Sequence, residues 1–337
     1  MSANSPPLAV VLGCAGTSLT DAERRFFEQA NPLGFILFAR NIETPGQVKA
    51  LVASLRASVG RDDAPVMIDQ EGGRVQRLKP PRWRAAPPAA QLGAIPDIDM
   101  AAEAVRLNAI LIGDELRALG IDVDCAPVLD VPVDGAHDII GDRALSHSPE
   151  RVGILGRAAC EGFLAAGVMP VIKHIPGHGR AKADSHLELP VVTATAEELE
   201  LSDFVPFEAL QDAAWAMTAH VVYTAYDDKR PATLSPVVVS DVIRRHIGFS
   251  GLLISDDLSM KALQGSFDER CREALEAGCD VALHCNGDMA EMQAVVKGAR
   301  PMNDKAMSRF ARAHAYLAQD PMPADPKSLD RLLAKLA

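Results

Sequence analysis

Between Lys173 and His186 the chain reads Lys-His-Ile-Pro-Gly-His-Gly-Arg-Ala-Lys-Ala-Asp-Ser-His, which crowds three histidines, three cations and one carboxylate into fourteen residues. The segment opens at the end of an apolar run, and Pro176, Gly177 and Gly179 forbid regular structure, so these groups stand on a loop. Asp184 lies two residues before His186. A carboxylate at that spacing can hydrogen-bond one ring nitrogen, fix the tautomer and raise the imidazole pKa above its free value of about 6.5. His186 then becomes a usable general acid near neutral pH, while a pair that merely stabilises the turn is the plainer alternative. His174, His178, His186 and Asp184 also admit a metal. Their spacing matches neither His-Glu-x-x-His nor a zinc-ribbon pattern, so no metal and no cofactor are expected. A phosphate cradle over residues 176–180 is conceivable but unspecific.

Other chemistry-bearing residues follow other apolar runs. One run ends in Asp69-Gln70-Glu71-Gly72-Gly73-Arg74-Val75-Gln76-Arg77, another leads to Asp130 and Gly141-Asp142-Arg143, and later runs lead to His220 and to Asp256-Asp257. Singly, each has a bland reading: a glycine turn, a surface ion pair, or a helix N-cap. Jointly they point to a shared mouth, because random surface charge has no reason to select the C-terminal ends of strands.

The elements that must carry these groups are eight short apolar runs: residues 8–12, 34–38, 65–68, 121–126, 168–172, 214–218, 252–255 and 281–284. Each is too short for a helix and lacks alternation, as expected of parallel strands buried on both faces. Between them lie helical segments with start signals, namely Thr44-Pro45, Ser148-Pro149-Glu150, Ser235-Pro236 and the capping-box pair Thr195 and Glu198. Residues 100–119 read as a helix stopped by Gly120. Eightfold alternation of strand and helix predicts an α/β fold, a single (β/α)8 TIM-like barrel with C-terminal helices. The expected organisation is one catalytic domain over 1–337, its core at about 8–300 and a helical extension at about 305–337 broken near Pro321 to Pro326. No Gly-x-Gly-x-x-Gly fingerprint or Walker loop follows any run, which removes the best support for a dinucleotide or P-loop fold.

Composition agrees with a large buried core: 48% of the 337 residues are hydrophobic and 23% charged. A formal net charge of −11 argues against sequence-independent nucleic-acid binding, which needs a basic face. The six cysteines are scattered without a CxxC pair and read as reduced thiols, consistent with a cytoplasmic protein. Val11-Leu12-Gly13-Cys14 looks like a lipoprotein cleavage box, yet no Lys or Arg precedes it and the apolar run is short, so it reads as a first buried strand. No stretch reaches the roughly 18 apolar residues of a membrane span.

Six ordered stretches carry a family resemblance: Asp-Gln-Glu-Gly-Gly-Arg-Val-Gln-Arg (69–77), Ala-Pro-Val-Leu-Asp-Val (126–131), Gly-Asp-Arg (141–143), Lys-His-Ile-Pro-Gly-His-Gly (173–179), Asp-Ser-His (184–186) and Ser-Asp-Asp-Leu-Ser-Met (255–260). In order and spacing they resemble family 3 glycoside hydrolases over about residues 8–300, and most of all the single-domain bacterial β-N-acetylglucosaminidases of that family. The resemblance implies a retaining exo-hydrolase of terminal β-linked N-acetylglucosamine. By the family pattern, Asp256 is the nucleophile, His186 the acid/base and Asp184 its partner. Asp69, Arg77, Arg143, Lys173 and His174 hold the sugar hydroxyls and the N-acetyl group. The implied substrate is N-acetylglucosaminyl-1,6-anhydro-N-acetylmuramic acid, with or without peptide, in cell-wall recycling. No nucleic acid, membrane or obligate protein partner is implied. Two departures stand out: Ile175 where Phe is frequent, and Arg180 where an acidic residue commonly follows the His-Gly step.

The nearest alternative is a β-glucosidase or β-xylosidase of the same family, many of which add a second domain that supplies a carboxylate acid. A metal-dependent barrel hydrolase and a non-catalytic sugar-binding barrel are the other readings. Asp257 is expected to cap a following helix, and Arg77 to pair with Asp69 or Glu71.

Overall fold

The fold comes from a computed structural model that describes residues 6–181, 183, 185, 188–318, 321 and 325–334. Eight strands close into a parallel barrel: β1 (Leu8–Leu12), β2 (Pro32–Leu37), β3 (Val66–Ile68), β4 (Val123–Asp124), β5 (Met169–Ile175), β6 (Trp215–Thr218), β7 (Leu252–Asp257) and β8 (Val281–His284). Each pairs with its neighbours in the chain, and Val10 opposite Ala282 joins β1 to β8. All eight expected runs are present. Their buried Val, Ile and Leu side chains face the barrel interior on one side and the helices on the other.

The helices start where the chain supplies caps. Thr20 and Glu23 form a capping box ahead of α1 (Asp21–Ala30), and Thr44 accepts from the Gln47 amide at the start of α2 (Pro45–Val59). Helix α2 buries Val48, Leu51, Val52 and Leu55, the i, i+3, i+4, i+7 stripe of a helix lying on a sheet. The long helix expected at 100–119 is α3 (Ile98–Arg117), and Gly120 takes the left-handed conformation (φ +81°) that turns the chain back toward β4. It packs along α4 (Pro149–Ala165), which Ser148 caps.

Between β5 and β6 the chain makes two five-residue helices, Ala196–Glu200 behind the Thr195/Glu198 capping box and Val205–Ala209. Between β6 and β7 the segment Val238–His246 winds with π spacing, and the Ser235 hydroxyl accepts from the Val238 amide at its start. Helices α5 (Phe267–Ala277), α6 (Met289–Gly298) and α7 (Asp304–His314) follow, with a last short helix at Ser328–Leu333. Cys14 is buried just past β1, so the lipoprotein-like box is the end of a core strand. All six cysteines are free and buried. Among the described residues, no helix is long and apolar enough to cross a membrane.

Candidate active site

A cavity of about 340 Å³ opens at the C-terminal end of the barrel. It is lined by Asp69, Arg77, Arg143, Lys173, His174 and Asp256, together with Glu71, Arg74, His178, Ser185 and Asp257. Six of the eight expected site residues are therefore brought together. Asp184 and His186 lie outside the described residues.

The first wall comes from the end of β3. Beyond Asp69, Gln70–Gly72 pairs antiparallel with Val75–Gln76 in a tight hairpin. Gly72 and Gly73 both have positive φ, and a Cβ on either would press on Pro87 or Pro88, so only glycine fits this turn. Asp69 and Glu71, two residues apart in extended chain, point to the same side. The Lys173 Nζ lies 2.8 Å from Asp69 Oδ1 and 2.7 Å from Glu71 Oε1. Arg143 grips Glu71 with a two-pronged contact, Nε at 2.8 Å and Nη2 at 2.9 Å. Arg77 donates to Asp69 Oδ2 at 3.2 Å and stacks on the Phe38 ring.

These pairings fix the protonation states. Burial alone would raise the Asp69 and Glu71 carboxyls. Lys173 and Arg77 outweigh it at Asp69, which falls well below the usual range, and Arg143 and Lys173 hold Glu71 at about 2. Burial would likewise lower the Lys173 ammonium, but the two carboxylates overcome it and keep the amine charged. The wall presents fixed charges with aimed donors and acceptors, the pre-oriented polar surface that sugar hydroxyls require.

The second wall comes from β4 and β5. Wholly buried Asp130 accepts from His174 Nδ1 at 2.7 Å and from the His178 amide at 2.6 Å. Burial pushes its carboxyl up, yet the neighbouring His174 ring and the donors on it bring it down to about 2. Gly179 passes so close to Val131 that a Cβ would collide with the carbonyl, which seats the loop against the β4 end. Arg180, the departure noted in the sequence, donates to buried Asp203 at 2.6 Å and to Ser202 at 3.2 Å, so its charge is turned toward the 196–209 segment.

Two irregular registers explain how neighbouring residues reach one cavity. In β5, Lys173 faces Met217 and Ile175 faces Thr218, two steps against one on β6. In β7, Ile254 faces Val281 and Asp257 faces Leu283, three steps against two on β8. Successive side chains of a regular strand point to opposite faces, and a bulge relaxes that rule. Lys173 with His174, and Asp256 with Asp257, accordingly line the same space.

Asp256 is half-buried, and its amide lies 3.3 Å from Thr218 Oγ1. Asp257 has a different task. Its carboxylate accepts from the Ser259 amide at 3.0 Å, the Cys285 amide at 3.1 Å and the Ser259 hydroxyl at 2.5 Å. It ties the turn after β7 to the end of β8 and does not cap a helix, because the next helix begins only at Phe267. His220 also departs from expectation. It is fully buried, with Nε2 donating to the Asp257 carbonyl at 3.0 Å and Nδ1 beside Thr233 Oγ1 at 2.7 Å, so it braces the β7 end from behind.

Glu71, Asp130 and His178 were not singled out as binding residues from sequence. The i, i+2 relation of Asp69 and Glu71 was the signal available for Glu71, whereas the partners of Asp130 lie more than forty residues away. Among the described residues, no group of three or more His, Cys, Asp or Glu is placed to hold a metal ion.

Residues 11–315 match the family model described as "Glycosyl hydrolase family 3 N terminal domain". A β-hexosaminidase of Thiobacillus denitrificans is 40% identical over 320 residues, covering 93% of this chain and 88% of that protein. A β-hexosaminidase of Pseudomonas aeruginosa is 38% identical over 307 residues, 90% of each chain. Among solved structures, NagZ from Neisseria gonorrhoeae in complex with N-trifluoroacetyl-D-glucosamine aligns with a TM-score of 0.85 at 32% identity, over 98% of both chains.

Proposed function

Because the chain belongs to glycosyl hydrolase family 3 and is a glycoside hydrolase, we propose that it is a retaining exo-β-N-acetylglucosaminidase. The observation that carries this reading is the convergence of Asp256 with Asp69, Arg77, Arg143, Lys173 and His174 on one cavity. At about 340 Å³ the space is at the small end of ligand pockets, which suits a single terminal sugar. The relative solved with N-trifluoroacetyl-D-glucosamine supports an N-acylated sugar as occupant.

In this reading Asp69 accepts from sugar hydroxyls, and Lys173, Arg143, Arg77 and His174 donate to them and to the N-acetyl carbonyl. Asp256 attacks the anomeric carbon and forms a glycosyl ester as the glycosidic bond breaks. His186, paired with Asp184, gives a proton to the departing oxygen, then takes one from the water that cleaves the ester. Two displacements at one carbon restore the β configuration. The substrate is a peptidoglycan fragment, N-acetylglucosaminyl-1,6-anhydro-N-acetylmuramic acid with or without peptide, turned over in the cytoplasm during cell-wall recycling.

The test compares 4-nitrophenyl N-acetyl-β-glucosaminide with the corresponding glucoside, for wild type and Asp256→Ala. The expected result is selective cleavage of the N-acetylglucosaminide, lost by about a thousandfold or more in the variant. Preference for the glucoside would move the activity to a β-glucosidase, and turnover retained by Asp256→Ala would remove the nucleophile.

A further inference from the structure

Asp69 and Arg77 meet across the hairpin that follows β3, and the side chain of Gln70 ties together the two arms that carry them. Gln70 is only 1% exposed. Successive side chains of an extended chain point to opposite faces, so Asp69 lines the cavity while Gln70 turns into the protein behind it. There its Oε1 accepts from the Arg77 amide at 2.8 Å and the Leu78 amide at 3.0 Å, and its Nε2 donates to the Leu78 carbonyl at 3.1 Å. The Gln70 amide donates to Asp124 Oδ1 at 2.9 Å. Asp124 is wholly buried on β4, and its Oδ2 has no hydrogen-bond partner among the described residues.

We propose that Gln70 is a positioning residue for sugar recognition, holding Asp69 and Arg77 at the spacing that the sugar hydroxyls require, with Asp124 as its anchor on the barrel. The inference rests on the reading of Asp69 and Arg77 as hydroxyl-binding groups. The hairpin is short: two residue pairs, Gln70 with Gln76 and Gly72 with Val75, join its arms, and the register shifts between them. Gly72 and Gly73 at its tip have positive φ and bring no side chain to hold the arms together. A buried amide with its partners in place selects one arrangement of the backbone around it. Both site residues are then set. Asp69 directly precedes Gln70, with Cα atoms about 3.8 Å apart, and Arg77 is gripped by its amide. From that backbone position the Arg77 guanidinium stacks on Phe38 and reaches Asp69 Oδ2 at 3.2 Å. A displacement of about 1 Å in such a pair can cost about a hundredfold in rate.

Hydroxyl deletion separates positioning from folding. We would measure kcat/KM for 4-nitrophenyl N-acetyl-β-glucosaminide and its 3-, 4- and 6-deoxy analogues with wild type, Asp69→Asn and Gln70→Met. Methionine keeps the shape of the glutamine side chain and removes its hydrogen bonds. Asp69→Asn identifies the hydroxyl that Asp69 holds, as the one whose deletion makes that substitution nearly silent. Gln70→Met is expected to lose about thirtyfold on the parent glycoside and under about threefold on that same deoxy analogue, with the full loss on the other analogues. Asp124→Leu, which takes the acceptor from the Gln70 amide, is expected to repeat the pattern. Asp124→Asn keeps the acceptor and should recover most of what Asp124→Leu loses. Burial pushes the Asp124 carboxyl well above the usual carboxylate range, so the uncharged amide is a close stand-in.

Equal losses by Gln70→Met on all four glycosides would overturn the positioning role and leave a contact that serves folding alone. Thermal melting of each variant confirms that folded protein is being compared, and Gln70→Met decides the matter where Asp124→Leu does not fold. If Asp69→Asn loses equally on every glycoside, the hydroxyl-binding reading of Asp69 fails and takes the positioning role with it. If Asp69→Asn is selective and Gln70→Met is not, the positioning role alone fails.

Discussion

Buried charge occurs at both ends of the barrel, but it is used differently. At the N-terminal end Asp280, just before β8, accepts from the Leu253 amide and from Arg244 at 2.9 Å each, and from Arg309 at 2.7 Å. Arg244 also donates to the Phe249 and Gly251 carbonyls. These bonds run from one segment of the backbone to another, joining β7 to the 238–246 segment and to α7. At the C-terminal end Asp69, Glu71, Arg143 and Lys173 are as tightly paired, yet the same groups line an open cavity. Burial and pairing thus do not distinguish scaffold from site. What distinguishes them is whether the paired groups face space that a ligand can enter.

The largest effect that would test this contrast is on stability. Asp280→Ala strands two guanidinium groups and a strand amide, and is expected to lower unfolding free energy by about 3–5 kcal/mol. Chemical denaturation would measure the loss, while kcat/KM of the folded fraction stays within about threefold. A variant that melts normally but loses activity would break the contrast. At the other end, Glu71→Gln leaves Arg143 and Lys173 less well aimed. It is expected to cut kcat/KM by about a hundredfold with a smaller loss of stability, since Lys173 keeps its pairing with Asp69 and the glutamine oxygen can still accept from Arg143. Steady-state kinetics beside a melting curve tests it, and a stability loss as large as that of Asp280→Ala would reclassify Glu71 as scaffold.

The legibility of these two ends in sequence differed as well. Eight parallel strands could be read because Val, Ile and Leu runs of four to six residues are the direct mark of burial on both faces. Caps such as Thr44 and Thr195 could be read because their hydrogen bonds close within three residues. The bulges in β5 and β7 could not. The apolar pattern stops at Ile172 and Ser255, whereas pairing continues through Ile175 and Asp257, so the polar ends of these strands read as loops. The Glu71–Arg143 contact spans 72 residues and the His174–Asp130 contact 44, and one sequence holds no record of which distant charges meet. His220 was read toward the mouth because it follows a strand. The structure turns it inward, where the Asp257 carbonyl and Thr233 satisfy both ring nitrogens.

The C-terminal end is also sensitive to acid. Burial lowers His178 from 6.5 to about 4, so below pH 6.5 the unfolded chain takes up a proton that the folded protein refuses. The associated stability is complete above pH 6.5 and is lost as pH falls toward 4, a contribution of at most about 3 kcal/mol. His178→Gln should flatten this part of the stability–pH curve, and an unchanged slope would assign it elsewhere. Glu71 and Asp130, both held at about 2, act lower: their stabilisation is present above the unfolded carboxylate range of about 4 and is lost as pH falls toward 2. The smallest expected change is Thr44→Ala at the start of α2, about 1 kcal/mol in a thermal melt with no change in kcat/KM.

The four groups Asp69, Glu71, Arg143 and Lys173 carry two negative and two positive charges, with Lys173 shared between both carboxylates. Changing any one of them takes a counter-charge from at least one buried partner. Divergence at this wall therefore cannot proceed by independent single steps; a lineage altering one member would have to replace its counter-charge at nearly the same time. The arrangement acts as a ratchet on sequence drift, and new sugar preferences would more readily arise on the loops around the mouth than in the wall itself.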